Sequence, residues 1–370
     1  MRVVITGADG FIARNLRVRL KELKFEDVAC IVRNSTHAEL VDALTGADVV
    51  VHLAGVNRPK DAVEFEQGNV GFTRQLCDIL ASSSTRASVI FSSSTQAALD
   101  NPYGRSKRGA EEVLQRYSQE SGAPVFIFRL PNVFGKWARP FYNSVVATFC
   151  YQAANGLPFT INDPKAPLRL IHVDDVVAAF LAKIEHKDSQ GGFVEAEPVY
   201  DTTVGELAEI LQTFVDSRTS LMSPRAGTGL VRALYSTYMS YLPPSSFSYS
   251  LPVYRDARGE FVEMLKTPDC GQFSYFTAHP GVTRGEHYHH TKTEKFLVLR
   301  GKARFGFRNI DTGETHEIVV SGGEGRIVET IPGWAHNITN IGNDELVVML
   351  WANEIFDRAR PDTISMKVAQ

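Results

Sequence analysis

Thr6-Gly7-Ala8-Asp9-Gly10-Phe11-Ile12-Ala13 decides the fold of the first half of the chain. It follows the short apolar run Val3–Ile5 and opens a helical pattern over Phe11–Leu23. Strand, glycine turn and helix start, in that order, aim main-chain N–H groups at a helix N-terminus, where a phosphate is favoured. Gly7 permits the tight turn, Gly10 lets the backbone approach a pyrophosphate, and Ala13 takes the third small position. Gly7, Asp9, Gly10, Phe11 and Ile12 are therefore candidate dinucleotide contacts.

Outward from this loop, short apolar runs recur at Val28–Val32, Val49–Leu53, Val89–Phe91 and Val125–Phe128. Helical patterns such as Arg74–Leu80 and Ser106–Tyr117 lie between them. Alternating β and α elements predict a Rossmann-type, doubly wound parallel sheet. The second strand ends Cys30-Ile-Val-Arg33-Asn34-Ser35, with no carboxylate to take a ribose hydroxyl. Arg33 suits a 2′-phosphate, so NADP is the expected cofactor.

Further motifs follow in order: Val51-His-Leu-Ala-Gly55, Asn69, Ser92-Ser-Ser94, Tyr103-Gly-Arg-Ser-Lys107, Arg129-Leu-Pro-Asn132 and Ile171-His-Val-Asp174-Asp175. From Thr6 to about Asp175 the chain resembles the extended short-chain dehydrogenase/reductase family. The resemblance implies that Leu53, Ala54 and Gly55 lie under the cofactor and that Asn69 braces the central helix. It also implies that Asn132 contacts substrate. The family's sugar-nucleotide epimerases carry an arginine four residues before the histidine of the Ile171-His-Val run. Leu168 stands there, with Arg169 one step on as the candidate substrate arginine. The spacing of Tyr103 and Lys107 puts both on one helix face. An ammonium near a phenol lowers its pKa, so Tyr103 can exchange a proton with a sugar oxygen while a hydride moves at the adjacent carbon. Lys107 should also hold the nicotinamide ribose, and Ser94 should orient the carbonyl.

Thr203-Val-Gly-Glu206 is a capping box opening a helix through Phe214. Residues 216–252 read as a partly ordered connector, and from Val253 onward short strand patterns dominate. That predicts an all-β barrel or jelly roll. Gly281-Val-Thr-Arg-Gly-Glu-His287-Tyr-His289-His290-Thr-Lys292-Thr-Glu294 and the later Pro332-Gly333-Trp-Ala-His336 resemble the two cupin motifs. Three histidines and a glutamate facing into a small barrel form a divalent metal site, expected to hold zinc. His287 and His289 share a strand face and His290 points away, so His287, His289, Glu294 and His336 are the expected ligands.

An overlapping run, Asp256-Ala-Arg258-Gly259-Glu-Phe261-Val-Glu263 and then Pro280 to Tyr288, resembles the deoxysugar 3,5-epimerase family. There the residue aligned with His287 is a base. A ligand cannot also be a free base, so either His290 or Lys292 moves the proton, or the metal site is weak.

The pairing of halves resembles the bifunctional CapF-type enzymes of bacterial capsule synthesis. The resemblance implies a UDP-2-acetamido-2,6-dideoxy-4-hexulose substrate, C3 epimerisation in the cupin, and C4 reduction by NADPH in the Rossmann half. The expected product is UDP-2-acetamido-2,6-dideoxy-L-talose, on the path to N-acetyl-L-fucosamine. Residues 1–243 are the expected NADP-binding domain and 244–370 the expected cupin domain. The alternative is an NAD-retaining sugar-nucleotide epimerase or dehydratase with a non-catalytic cupin for dimerisation or binding.

Composition sets the outer limits. The chain has 370 residues, 44% hydrophobic, with a formal charge of -3. No basic face is indicated, so nucleic acid is not an expected partner. Cys30, Cys77, Cys150 and Cys270 form no CxxC pair. No signal-peptide core or membrane-spanning run is visible, so a cytoplasmic setting is expected. Six of the ten histidines fall after residue 250. A homodimer is expected from cupin analogy.

Overall fold

A computed structural model describes the chain except residues 60, 62, 84, 186–189, 257–258, 263–264, 266–270, 355–358 and 370. For residues 253–256, 259–262 and 272–274 it describes the backbone alone. Three of the positions in the run resembling the 3,5-epimerases (257, 258 and 263), and Cys270, lie outside the described residues. By packing, the chain forms two compact units. One comprises Met1–Val133 and Arg169–Asp201, and the other Phe134–Leu168 and Thr202–Gln370. Among the described residues, no helix is long and apolar enough to cross a membrane.

In the first unit, strands β1 (Arg2–Thr6), β2 (Asp27–Ile31), β3 (Val49–His52), β4 (Ser88–Ser94) and β5 (Val125–Leu130) form a sheet with Gly192–Val194, in the order β2-β1-β3-β4-β5 and then Gly192–Val194. All its pairings are parallel. Alternation along each strand feeds two cores. Val3, Ile5, Val49, Val51, Ile90, Phe126 and Phe128 pack on one face with the helices Phe11–Glu22 and Val173–Glu185. Val4, Val50, Val89, Phe91, Val125 and Ile127 pack on the other with the helices His37–Leu44, Phe72–Ala81 and Pro102–Ser121. Near-continuous apolar strands are what a sheet covered on both faces requires. The order reverses at β1, between β2 and β3, and the carboxyl ends there open the crevice in which such sheets bind ligands.

The second unit contains two five-stranded sheets. The first runs Ser248–Ser250, Arg326–Glu329, Glu294–Arg300, Leu346–Ala352, Gln272–Ala278. The second runs Thr315–Ser321, Lys302–Asn309, Trp334–Asn340, Thr283–Tyr288, Ile364–Ser365. Their pairings are antiparallel throughout, as the β-rich second half predicts. The Thr203 capping box is present, but its helix runs Val204–Ser220, beyond Phe214. A second helix, Gly229–Met239, lies within the expected connector. A buried ion triad joins the first helix to the sheet: Glu329 accepts from Arg218 and from Lys295.

Candidate functional site

The glycine loop sits at the crevice. Gly7 has φ 66°, and a Cβ there would lie 2.8 Å from the Ala54 main chain. Any larger residue would push Leu53–Gly55 away from the loop. Gly10 is the N-cap of the helix Phe11–Glu22 and donates its N–H to the Gly7 carbonyl at 2.8 Å. Asp9 and Arg33 are both exposed, Arg33 two residues beyond β2. Two further cations come from the helix. Arg17 donates to the Ala8 carbonyl and lies 4.0 Å from Asp9. Arg14 is half-buried, and burial and Arg17 lower its pKa. Both sit at i, i+3 on the helix that the loop opens, a signal that a search at the end of β2 does not sample.

A hydrogen-bond chain fixes the segment under the loop. Ala54 N–H donates to Thr6 Oγ1, which lies 2.7 Å from His52 Nδ1. His52 Nε2 lies 2.9 Å from Thr73 Oγ1, which donates to the Asn69 carbonyl. Burial, with Lys107 adding, pushes His52 down to about 3, so the ring is neutral and every polar group is satisfied. Asn69 stands on a π-helical turn, Glu66–Gly71. It accepts from Val56 N–H at 2.7 Å and donates to the Val56 carbonyl at 3.0 Å and to Ser106 Oγ at 2.8 Å. It thus joins the segment after β3 to the helix carrying Tyr103 and Lys107.

Asn101 caps that helix and Pro102 enters its first turn. A Cβ on Gly104 would lie 2.2 Å from the Gln96 carbonyl, so the helix start sits against the turn after Ser94 only because residue 104 is glycine. Ser94 stands beside the Tyr103 phenol. Lys107 is buried and donates to the Ser92 carbonyl at 2.7 Å. A Cβ on Gly55 would meet Asn69 Oδ1 at 3.1 Å and Lys107 Nζ at 3.9 Å, so the two halves of the site converge there.

The electrostatics correct one expectation. Burial raises the Tyr103 phenol above its usual value, and Ser94 is what opposes the rise. Lys107 is not the group that pulls it down, because its ammonium faces the Ser92 carbonyl and the Phe91 ring. Burial instead brings Lys107 itself down to about 8, with Glu111 pulling the other way. Glu111 is in turn held by Nε and Nη2 of Arg129 and by Ser93.

Asn132 and Arg169 meet: Asn132 Nδ2 donates to the Arg169 carbonyl at 3.2 Å. Arg169 is exposed and lines a cavity of ≈ 730 Å³ with Thr95, Arg129, Phe193, Glu195 and Asp201. The side chain at the epimerase arginine position, Leu168, is half-buried.

In the second unit the four expected ligands converge. One ligand atom each from His287, His289, Glu294 and His336 falls within 4.8 Å of all the others. His287 lies on Thr283–Tyr288 and pairs across to His336. That strand ends at Tyr288, so His289 lies beyond it and meets His287 through the bend and not through strand alternation. Glu294 Oε2 lies 3.3 Å from His289 Nε2 and 3.4 Å from His336 Nε2. Burial and its two ring neighbours push His287 down to about 4, and burial lowers His336. The two rings His289 and His336 hold Glu294 well below the carboxylate range. Three imidazoles around one carboxylate match the donor set of a divalent ion, and both ring nitrogens of His336 are buried without a hydrogen bond, as a ligand group would be. Lys292 is buried, 3.6 Å from Glu294 Oε1 and bonded to Thr363. The His290 ring lies 5.7 Å from that of Tyr288.

Comparison with known proteins places this geometry. Residues 3–194 match the NAD dependent epimerase/dehydratase family, and residues 254–364 match the polysaccharide biosynthesis C-terminal domain. The chain belongs to the NAD dependent epimerase/dehydratase family. It is 53% identical, over all of both chains, to a UDP-2-acetamido-2,6-beta-L-arabino-hexul-4-ose reductase of Pseudomonas aeruginosa. It is also similar to the capsular polysaccharide assembling protein CapF of Staphylococcus aureus, with 42% identity, complete coverage of both chains and a TM-score of 0.69. This whole-length likeness bears out the resemblance to CapF-type enzymes. MoeE5, at 19% identity and TM-score 0.55 over 65% of this chain and 98% of its own, shares the fold alone.

Proposed function

We propose that the chain is a bifunctional sugar-nucleotide enzyme. Its first half (residues 1–243) reduces the C4 ketone of a UDP-2-acetamido-2,6-dideoxy-4-hexulose, and its second (residues 244–370) epimerises C3 beforehand. The product is UDP-2-acetamido-2,6-dideoxy-L-talose. The observation that carries the reductase step is the placement of Ser94 beside the Tyr103 phenol, with Lys107 buried one turn further along the helix, at the carboxyl end of β4. The full-length likeness to a UDP-sugar reductase supports the substrate class.

The residues divide the work. Ser94 orients the C4 oxygen and Tyr103 protonates it, its raised pKa keeping the phenol protonated until the oxygen becomes basic. The nicotinamide supplies the hydride when bound. Lys107 holds the ribose hydroxyls, Gly7 and Gly10 admit the pyrophosphate, and Arg33, with Arg14 and Arg17, favours NADPH over NADH. Asn132 and Arg169 take the nucleotide diphosphate end. A C3 proton is acidic only while C4 is a ketone, so epimerisation precedes reduction. A divalent ion held by His287, His289, Glu294 and His336 polarises the ketone when bound. Of His290 and Lys292, Lys292 Nζ stands at the cluster; as the free amine it would take the C3 proton, leaving an enolate that a proton from solvent on the opposite face returns to the epimerised ketone. A homodimer and a cytoplasmic setting complete the proposal.

Stoichiometry tests it. One NADPH should be consumed per ketone reduced, with NADH much poorer. Turnover without net oxidation of the added nucleotide would instead indicate a retained cofactor and contradict a reductase.

A further inference from the structure

The four ligands do not share one rigid element. His289 and Glu294 flank the segment 290–293, which lies between the strands Thr283–Tyr288 and Glu294–Arg300. Outside a ladder, main-chain N–H groups need other partners, and leaving them unmade in a buried loop is costly.

One side chain supplies most of those partners. Asp362 Oδ1 accepts the His290 N–H at 2.9 Å. Its Oδ2 accepts the Thr291 N–H at 2.7 Å, the Lys292 N–H at 2.8 Å and the Thr291 hydroxyl at 3.2 Å. Three consecutive amides thus converge on one carboxylate, 70 to 72 residues away in sequence. The main-chain carbonyl of the same residue meets His289 Nδ1. A carbonyl only accepts, so Nδ1 must carry the proton. With the proton held at Nδ1, Nε2 is the nitrogen that can ligate, and it lies 3.3 Å from Glu294 Oε2.

The segment after Asp362 continues the hold. Ile364 and Ser365 pair with Tyr288 and His287, and Met366 N–H donates to the Glu286 carbonyl. From the other side Arg232, on the helix Gly229–Met239, bonds Thr291 Oγ1 and Glu354.

We propose that Asp362 is the positioning residue of the metal centre. Its carboxylate fixes the loop that spaces His289 from Glu294, and its carbonyl selects the His289 tautomer that can bind an ion. The proposal rests on the metal assignment above.

The test uses the full-length protein, stripped of metal, titrated with zinc ions alone in competition with a chromophoric chelator. Asp362→Ala should weaken zinc binding about 10–100-fold, the usual range for a lost outer partner of a ligand. Asp362→Asn, which keeps the size and one acceptor oxygen, should fold and bind with intermediate affinity. A merely structural role would lower the melting temperature of the metal-free protein but leave zinc affinity within about twofold of the original chain in both variants; that result would overturn the proposal. If the Ala variant fails to fold, the Asn variant alone decides between the two outcomes. An original chain that binds no zinc would instead contradict the metal assignment on which the proposal rests.

Discussion

The ammonium of Lys107 donates to the main-chain carbonyl of Ser92 at 2.7 Å, and burial holds its pKa down to about 8. Glu111, one turn further along the helix, raises it. Reduction should therefore weaken as pH passes about 8, because the neutral amine holds a ribose hydroxyl less well. Glu111→Gln should move that basic limb to lower pH, read from kcat/KM against pH. An unmoved limb would show that Lys107 does not set it. The stability sign is opposite. The folded value lies below the ordinary 10.5, so the unfolded chain binds more protons between about 8 and 10.5. The cost of burying the ammonium is full below about pH 8 and fades as pH rises.

Tyr103→Phe removes the proton donor and keeps the ring that faces Phe65 at 5.7 Å. Reduction should fall roughly 10²–10⁴-fold, the usual size of a general-acid contribution. Exchange of the C3 proton should be unchanged, which mass spectrometry of the recovered sugar nucleotide would show.

Asn69 is buried and satisfies both polar groups of Val56 as well as Ser106. Asn69→Ala leaves those groups unpaired. It should destabilise the first unit by about 1–3 kcal/mol, measured by denaturant titration. It should also slow reduction by loosening the helix start that carries Tyr103.

Glu329 is buried between Arg218 and Lys295, whose charges hold its pKa below the ordinary 4.5 despite burial. Its depressed value stabilises the fold above that ordinary value, and the contribution is lost as pH falls through the folded one. Glu329→Gln strands two buried cations and should cost about 3–5 kcal/mol at pH 7. Thermal melts at pH 7 and pH 3 should show the variant's deficit shrinking in acid.

The parts legible in the sequence are those set by local period and spacing. Val3 and Ile5 against Val4 announce a sheet covered on both faces, and the glycine loop announces the crevice. The grouping of His287, His289 and His336 was legible because their motif keeps fixed spacing. Residues whose roles come from the other end of the chain were not. Asp362 belongs to no motif, and only the pairing of Ile364 and Ser365 with Tyr288 and His287 carries it to residues 290–292. The direction of Lys107 was also hidden: helical spacing puts it on the face of Tyr103, but the nearby Ser92 carbonyl decides where the ammonium goes. The helix Gly229–Met239 was partly visible in the spacing of Leu234, Tyr235 and Tyr238, all buried, although proline and glycine on either side suggested a linker.

Incubation of the 4-keto sugar nucleotide in D2O without NADPH tests the two-site claim most directly. Deuterium should enter C3 with the original chain and with Tyr103→Phe, and should fail to enter with His336→Ala. No exchange until NADPH is added, or loss of exchange in Tyr103→Phe equal to its loss of reduction, would contradict it.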